Sequence, residues 1–192
     1  MTDQAGASRP VPPRPGRGAG PARLAEILRV DHAGELAAVH IYRGQRMVLG
    51  HAPAQARLAE QLAQMEAQEA EHLSAFDQLL TDRRVRPSLL TPLWRVAGFA
   101  LGVGTALLGD KAAHACTEAV ESVIERHYGA QVAELASSEP DLAASLSGFR
   151  DEEIAHHDRA VEEGARGAPG YPILTAAIRA GCRAAIKISE KV

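Results

Sequence analysis

Four acidic side chains stand where a helical chain needs hydrophobic ones, and they do so in two copies of one layout. Glu35, Tyr42 and Gln45 are followed by Glu69 and His72, while Glu121, Tyr128 and Gln131 are followed by Glu153 and His156. In each copy the Glu, Tyr and Gln lie at i, i+7 and i+10, and the following pair is Glu-x-x-His. Self-similarity of this kind points to an internal repeat. Residues spaced by three, four and seven share one face of an α-helix. Extending outward from each Glu gives four stripes with alternating steps of four and three. They are Leu24-Leu28-Asp31-Glu35-Ala38-Tyr42-Gln45-Leu49, Leu58-Leu62-Met65-Glu69-His72-Phe76-Leu79, His114-Thr117-Glu121-Ile124-Tyr128-Gln131-Leu135 and Leu142-Leu146-Phe149-Glu153-His156-Ala160. Each is a core-facing seam with a carboxylate at its middle. An all-α bundle of four helices is therefore expected.

Burying four carboxylates together is prohibitive unless cations pair with them. No stripe carries a central Lys or Arg, so metal ions are the natural counter-charge. Glu35, Glu69, His72, Glu121, Glu153 and His156 supply six ligands, enough for two metals. This ligand set matches that of ferritin-like di-iron and di-manganese carboxylate bundles. One Glu-x-x-His is common by chance and is usually a solvated face; two, each paired with a stripe Glu in a duplicated layout, are not. Heights agree as well. With turns near His51 and Ser138, Glu35 lies 16 residues before its turn and Glu69 18 after, while Glu121 lies 17 before and Glu153 15 after. At about 1.5 Å per residue the partners differ in height by only about 3 Å.

A carboxylate-rich site with one imidazole per metal favours iron or manganese over zinc. Near the six ligands, Tyr42 and Tyr128 lie two turns from Glu35 and Glu121. Their plain role is core packing with a hydrogen-bonded hydroxyl; contact with ligands or substrate is the functional alternative. His127 follows Glu121 by six residues. Asp151 and Glu152 precede the second Glu-x-x-His and are placed to orient a ligand imidazole. His32 and His157 are expected at the surface.

The rest of the chain is compatible with one domain. Its 192 residues are rich in Ala and poor in aromatics, which suits close helix packing. A formal charge of −3 gives no nucleic-acid footprint. The two cysteines, Cys116 and Cys182, form no Cys-x-x-Cys pair, so a zinc ribbon or rubredoxin-like centre is excluded; they read as small buried hydrophobes. Residues 1–20 hold Pro10, Pro12, Pro13 and Pro15 and read as a disordered tail. They lack the apolar stretch of a secretory signal, which points to a cytosolic location. The bundle domain then spans 21–192. Its helices are expected over about Ala22–Leu49, ending at Gly50; from Pro53 in a first turn to about Thr81; over about Asp110–Ala136; and from Pro140 to near Gly164.

Between the second and third of these lies a long connection, about Asp82 to Gly109, with an apolar run from Leu93 to Leu108. It is too short and Gly-rich for a comfortable membrane span of about 20 residues, and too apolar for an exposed loop. Two readings stand: a helix buried against the bundle, or an interfacial helix with Trp94 and Arg95 at lipid headgroups. The Gly102-x-Gly104 fragment has neither the preceding strand nor the third glycine of a dinucleotide fingerprint. The last segment, Tyr171 to Val192, reads as a helix with a basic stripe of Arg179, Arg183 and Lys187. That stripe suits either an anionic lipid surface or a solvated face.

Several stretches together resemble the demethoxyubiquinone hydroxylases of ubiquinone biosynthesis. They include Arg29-Val30-Asp31-His32-Ala33-Gly34-Glu35, Ile41-Tyr42-Arg43-Gly44-Gln45, Glu69-Ala70-Glu71-His72, Arg84-Val85-Arg86-Pro87-Ser88 and Gly104-Thr105-Ala106-Leu107-Leu108-Gly109. Val120-Glu121, His127-Tyr128, Phe149-Arg150-Asp151-Glu152-Glu153, His156-His157-Asp158 and Ala180-Gly181-Cys182-Arg183 continue the likeness, which runs from about residue 24 to the end. The family's six ligands map onto the six residues named above. His32 replaces a Gln, and Arg126 a His, found in some relatives; neither is a ligand. The resemblance implies a monooxygenase with two ferrous ions, dioxygen as co-substrate and a polyprenylated demethoxy-quinol as substrate. It also implies a peripheral protein of the cytoplasmic face of the cell membrane. Other ubiquinone-biosynthesis proteins and a second copy of the chain are candidate partners, and nucleic acid is not. No nicotinamide or flavin motif names the electron donor. A ferritin has no reason for a Trp-anchored apolar crossover, a rubrerythrin-like scavenger needs a cysteine-rich centre, and a metal-free scaffold has no use for all six ligands.

Because the composition of residues 1–20 cannot support a core, removing them is expected to leave the melting temperature and turnover unchanged. A truncation starting at Pro21 that no longer folds, measured by circular dichroism, contradicts this.

Overall fold

The computed structural model describes residues 20–50 and 56–191; the expectations for the N-terminal tail, for Pro53 and for Val192 fall outside them. Among the described residues six α-helices follow one another: α1 (Gly20–Leu49), α2 (Ala56–Asp82), α3 (Thr91–Leu107), α4 (Asp110–Leu135), α5 (Pro140–Glu162) and α6 (Tyr171–Ser189), with a 3-10 turn at Ala165–Gly167 before the last. No strand occurs among the described residues. The expected bundle helices correspond to α1, α2, α4 and α5, in an all-α, ferritin-like bundle.

Two apolar clusters show how these four are arranged. One joins Ile27 and Leu28 of α1 to Phe76 and Leu80 of α2, Tyr128 and Leu135 of α4, and Leu142 and Leu146 of α5. The other joins Tyr42 and Leu49 of α1 to Leu58, Leu62 and Met65 of α2, and reaches Ala113 of α4. The start of α1 thus meets the end of α2, the end of α4 and the start of α5. Both hairpins are antiparallel, and so are α1 and α4. Between the clusters lies the level of the four stripe carboxylates, so the site is closed above and below by apolar plugs.

Local chemistry sets the boundaries. The Gly50 N–H bonds the Arg46 carbonyl at 2.8 Å and closes α1. At the end of α2 the Val85 N–H reaches back to the Leu80 carbonyl at 2.8 Å while Arg84 takes a φ of 53°. This is a left-handed helix stop of the kind glycine usually makes. Prolines occupy the first turns of α3, α5 and α6, where the missing N–H costs nothing. Gly109, at φ 107°, makes the sharp corner between α3 and α4.

The crossover is settled as a helix packed on the bundle by one face. α3 runs along α1 in contact close enough for glycine only. A Cβ on Gly98 would lie 2.5 Å from the Ala37 carbonyl oxygen, one on Gly102 would overlap the Ile41 carbonyl oxygen, and one on Gly44 of α1 would lie 2.5 Å from the Phe99 carbonyl oxygen. The opposite face stays open and apolar. Leu93, Val96, Ala97, Ala100, Gly104, Leu107 and Leu108 are exposed and follow one helical stripe. Phe99, in the same apolar run, is half-buried.

The expected basic stripe on α6 is also revised. Arg179 does not face outward with Arg183 and Lys187. It donates to the buried Glu118 at 2.6 Å and to Ser122 at 3.1 Å, both on α4, and Tyr171 donates to the same Glu118 at 3.0 Å. A buried carboxylate needs such partners, and Arg179 fastens α6 to α4. His32, expected at the surface, is buried, with its Nε2 3.0 Å from Asp77 Oδ1 of α2; His157 is half-buried.

Gly102→Ala is expected to lower unfolding stability by about 1–3 kcal/mol, because the clash is with backbone that cannot swing aside. Gly104→Ala, with nothing near its Cβ position, is expected to raise it by about 0.5–1 kcal/mol through helix propensity. Urea denaturation of both variants checks the contrast.

Candidate metal centre

The six stripe ligands converge. Glu35, Glu69, His72 and Glu153 form one group, and Glu69, Glu121, Glu153 and His156 a second, each with ligand atoms within 4.8 Å of one another. Glu69 and Glu153 belong to both groups. Two cations would fit such a pair of groups, Glu35 and His72 facing one and Glu121 and His156 the other, with Glu69 and Glu153 common to both. Both imidazoles point Nδ1 inward: His72 Nδ1 lies 3.3 Å from Glu153 and 3.5 Å from Glu35, and His156 Nδ1 lies 3.1 Å from Glu69.

Their burial is nearly complete. Glu69 and Glu153 are 0% exposed, and Glu35 and Glu121 1%. Both oxygens of Glu69 and Glu153, Oε2 of Glu35 and of Glu121, and Nδ1 of both histidines have no hydrogen-bond partner. Unpartnered buried atoms of this kind are rare and expensive, and here all of them face one small volume. Burial, then the charges of their neighbours, push the Glu69 and Glu121 carboxyls well above the ordinary carboxylate range. Burial raises the Glu153 carboxyl, but the two imidazoles facing it, His72 Nδ1 at 3.3 Å and His156 Nδ1 at 3.5 Å, outweigh burial and hold it down to about 2. His72 is pushed up to about 10, burial being outweighed by Glu153 and Glu35. A cluster of four carboxylates so short of cationic partners is the donor set for divalent cations, and hard oxygen with one nitrogen per position suits iron.

The tyrosines tie the two halves together. The Tyr42 hydroxyl on α1 donates to Glu121 on α4 at 2.6 Å, and the Tyr128 hydroxyl on α4 donates to Glu35 on α1. Burial first, then the nearby carboxylates, raises both phenols well above their usual range, so both keep their protons and act as donors. Each terminal carboxylate therefore has one oxygen fixed and the other turned inward. His127 is placed beside this set: its Nε2 lies 3.1 Å from Asp31, which also accepts from Gln131 at 2.8 Å. Asp151 is not at the site. It is exposed, and its neighbour Glu152 makes the contact expected of it, 3.1 Å from His72 Nε2. Gln68, absent from the expectations, accepts from His156 Nε2 at 2.9 Å. A signal for it existed, since Gln68 and Glu152 each stand immediately before the Glu of a Glu-x-x-His.

On the far side of α1 an apolar groove runs between α3 and α6. Gly34, Ala38 and Ile41 form its floor, Val120 and Ile124 of α4 its inner wall, and Trp94 and Ile186 its rims. Gly34 and Val120 adjoin Glu35 and Glu121, so the groove backs directly onto the ligand-bearing turns. None of the described helices is long and apolar enough to cross a membrane.

Residues 22–189 match the family described as "Ubiquinone biosynthesis protein COQ7". The chain is 51% identical over 178 residues to a 3-demethoxyubiquinol 3-hydroxylase of Rhodospirillum rubrum, covering 93% of this chain and 82% of that one. It is 46% identical over 175 residues to the human mitochondrial NADPH-dependent 3-demethoxyubiquinone 3-hydroxylase, covering 89% and 79%. Against the mitochondrial 5-demethoxyubiquinone hydroxylase of Saccharomyces cerevisiae it is 42% identical over 184 residues, covering 88% and 78%. With a buried carboxylate and imidazole cluster at the centre of a duplicated bundle, and with this likeness over nearly its whole length, the chain belongs to the COQ7 family of demethoxyubiquinone hydroxylases.

Proposed function

We propose that this chain hydroxylates the ring of a polyprenylated demethoxyubiquinol in ubiquinone biosynthesis, using dioxygen and two iron ions held by Glu35, Glu69, His72, Glu121, Glu153 and His156. The observation that carries the reading is the pair of four-ligand groups sharing Glu69 and Glu153, in a chain whose relatives are named as hydroxylases of this substrate. Two ferrous ions bound there supply the reducing power that activates dioxygen. The chain's own residues do the rest. Tyr42 and Tyr128 hold the terminal carboxylates, and the apolar plugs on either side exclude bulk water. Adding one oxygen atom to the ring and reducing the other to water takes two electrons from outside. The human relative is named NADPH-dependent, and a reduced nicotinamide is the proposed donor here too.

The substrate's polyprenyl tail resides in a bilayer, so the protein works at a membrane surface, as a peripheral protein on the cytoplasmic face of the cell membrane. The exposed stripe of α3 borders the groove beside Trp94, and the exposed Ile188 of α6 stands between its lining residues Ile186 and Ser189. Arg183 and Lys187 add attraction to anionic lipid, about 1 kcal/mol per residue near the surface. Tail and ring then enter between α3 and α6 and approach Glu35 and Glu121 from behind.

Glu69→Ala is expected to lose iron and hydroxylation together, because one carboxylate serves both positions. Iron analysis and mass detection of the product with one added oxygen check it; a variant with full iron and normal turnover rules the ligand set out. Iron removal is also expected to lower the melting temperature of the wild type, since the carboxylates then lose their counter-charge.

Val96→Asp with Leu107→Asp is expected to weaken liposome binding while iron content stays unchanged. Activity is expected to fall on a long-tailed quinol and to survive better on a short-tailed, water-soluble analogue. Unaltered co-sedimentation of the folded double variant with liposomes rules out α3 as the membrane face.

A further inference from the structure

The two halves of the bundle supply the same ligands and the same tyrosines, yet they differ in what stands behind each imidazole. His72 and His156 both turn Nδ1 toward the carboxylates, so as ligands both carry their proton on Nε2. His72 Nε2 then donates to Glu152 at 3.1 Å, and His156 Nε2 to Gln68 at 2.9 Å. The contacts are reciprocal: Glu152 of α5 serves a histidine of α2, and Gln68 of α2 serves a histidine of α5. Both acceptors hold the same place in their repeat, one residue before the Glu of Glu-x-x-His. One is a carboxylate and the other a neutral amide of the same shape.

That difference bears on the metals. A carboxylate behind an imidazole N–H draws on the proton, makes the ring a stronger donor and adds negative charge near the ion. An amide oxygen fixes the same orientation without the charge. Glu152 is partly open to solvent, with 47% of its side chain exposed, which screens it without removing a charge-assisted hydrogen bond. Asp31 reinforces the same side: it is buried one turn before Glu35, and Thr117 holds the matching position in the second half.

We propose that Glu152 and Gln68 are positioning residues that make the two metal positions unequal. The ion held by Glu35 and His72 is the harder to reduce, and the ion held by Glu121 and His156 the easier. The inference rests on reading the cluster as a two-iron centre. It gives the centre a fixed order of reduction, with the first electron entering on the Gln68 side.

Glu152→Gln and Gln68→Glu test this, because each is isosteric and each site is exposed, so folding is retained. Redox titration of the full-length, iron-loaded protein, followed by electron paramagnetic resonance of the one-electron-reduced state, reads both steps. Wild type is expected to give two separated steps. Glu152→Gln raises the lower potential by the equivalent of about tenfold, roughly 59 mV for one electron. Gln68→Glu lowers the higher potential by a similar amount. Both substitutions narrow the gap, by shifts of opposite sign, and the half-reduced signal weakens in both. Loosened packing alone moves the two variants in the same direction, so shifts of equal sign, or no shift, overturn the proposal. Wild-type protein that binds no iron overturns the two-iron reading itself, a result distinct from iron-loaded protein with two equal steps.

Discussion

Four carboxylates share one buried volume, and the rest of the fold follows from the need to keep them there with two imidazoles as their only facing cationic groups among the described residues. Alone, each would be driven toward its neutral form by burial and by the others' charge, as Glu69 and Glu121 are. Among the described residues, two histidines and two tyrosines are the donors that face these carboxylates. The tyrosines saturate one oxygen each on Glu35 and Glu121 and leave the shared pair, Glu69 and Glu153, with no hydroxyl. The unsatisfied oxygens are therefore concentrated in the one volume that the two groups share. Apolar plugs at either end, built on Phe76 and Leu146 and on Leu62 and Met65, keep water from competing for those oxygens and strengthen every interaction inside.

Duplication explains how one chain brings six ligands to one level. Antiparallel α1 and α4 place Tyr42 opposite Glu121 and Tyr128 opposite Glu35, so each half completes the other. A hairpin with only Glu35, Glu69 and His72 would bury two carboxylates with half the donors missing. Departures from this symmetry are where function can distinguish one side from the other. Thr117 stands where the first half has Asp31, Glu152 where it has Gln68, and Ile41 matches His127. Polar groups thereby gather on the Glu35 side, while the Ile41 position helps to floor the apolar groove.

The convergence of the six residues was legible in the sequence because a carboxylate at the centre of a hydrophobic seam contradicts the seam unless its like-charged neighbours and a counter-charge gather at the same level. Helix positions were legible for the same periodic reason. What stayed hidden depends on neighbours across space. Gly98 and Gly102 showed only as part of a Gly-rich run, whereas they are the contact surface for the α1 backbone. Arg179 read as one of three outward cations because its partner, Glu118, lies on a different helix and off the α4 stripe. Asp151 and Glu152 differ by one position, a rotation of about 100° on a helix; choosing between them requires knowing where His72 stands on α2. Gln68 carried no charge to draw attention, yet its place before Glu69 repeats that of Glu152 before Glu153.

Topology demands the crossover but not its outer face. α2 ends at the cluster that holds Leu80 and Leu135, and α4 begins at the one that holds Leu49 and Ala113. The chain must therefore travel the length of the bundle between them, and the 17 residues of α3 cover about 25 Å as a helix. Glycines at its inner face satisfy this requirement by letting α3 lie flat on α1. Nothing in that task calls for Leu93, Val96, Leu107 and Leu108 on the outside, where polar residues would connect the hairpins equally well at lower risk of aggregation. An apolar stripe kept on the outer surface of a helix that rims the apolar groove is a cost without return in water. It is favourable where the surrounding medium is itself apolar, as the membrane placement proposed for this chain requires.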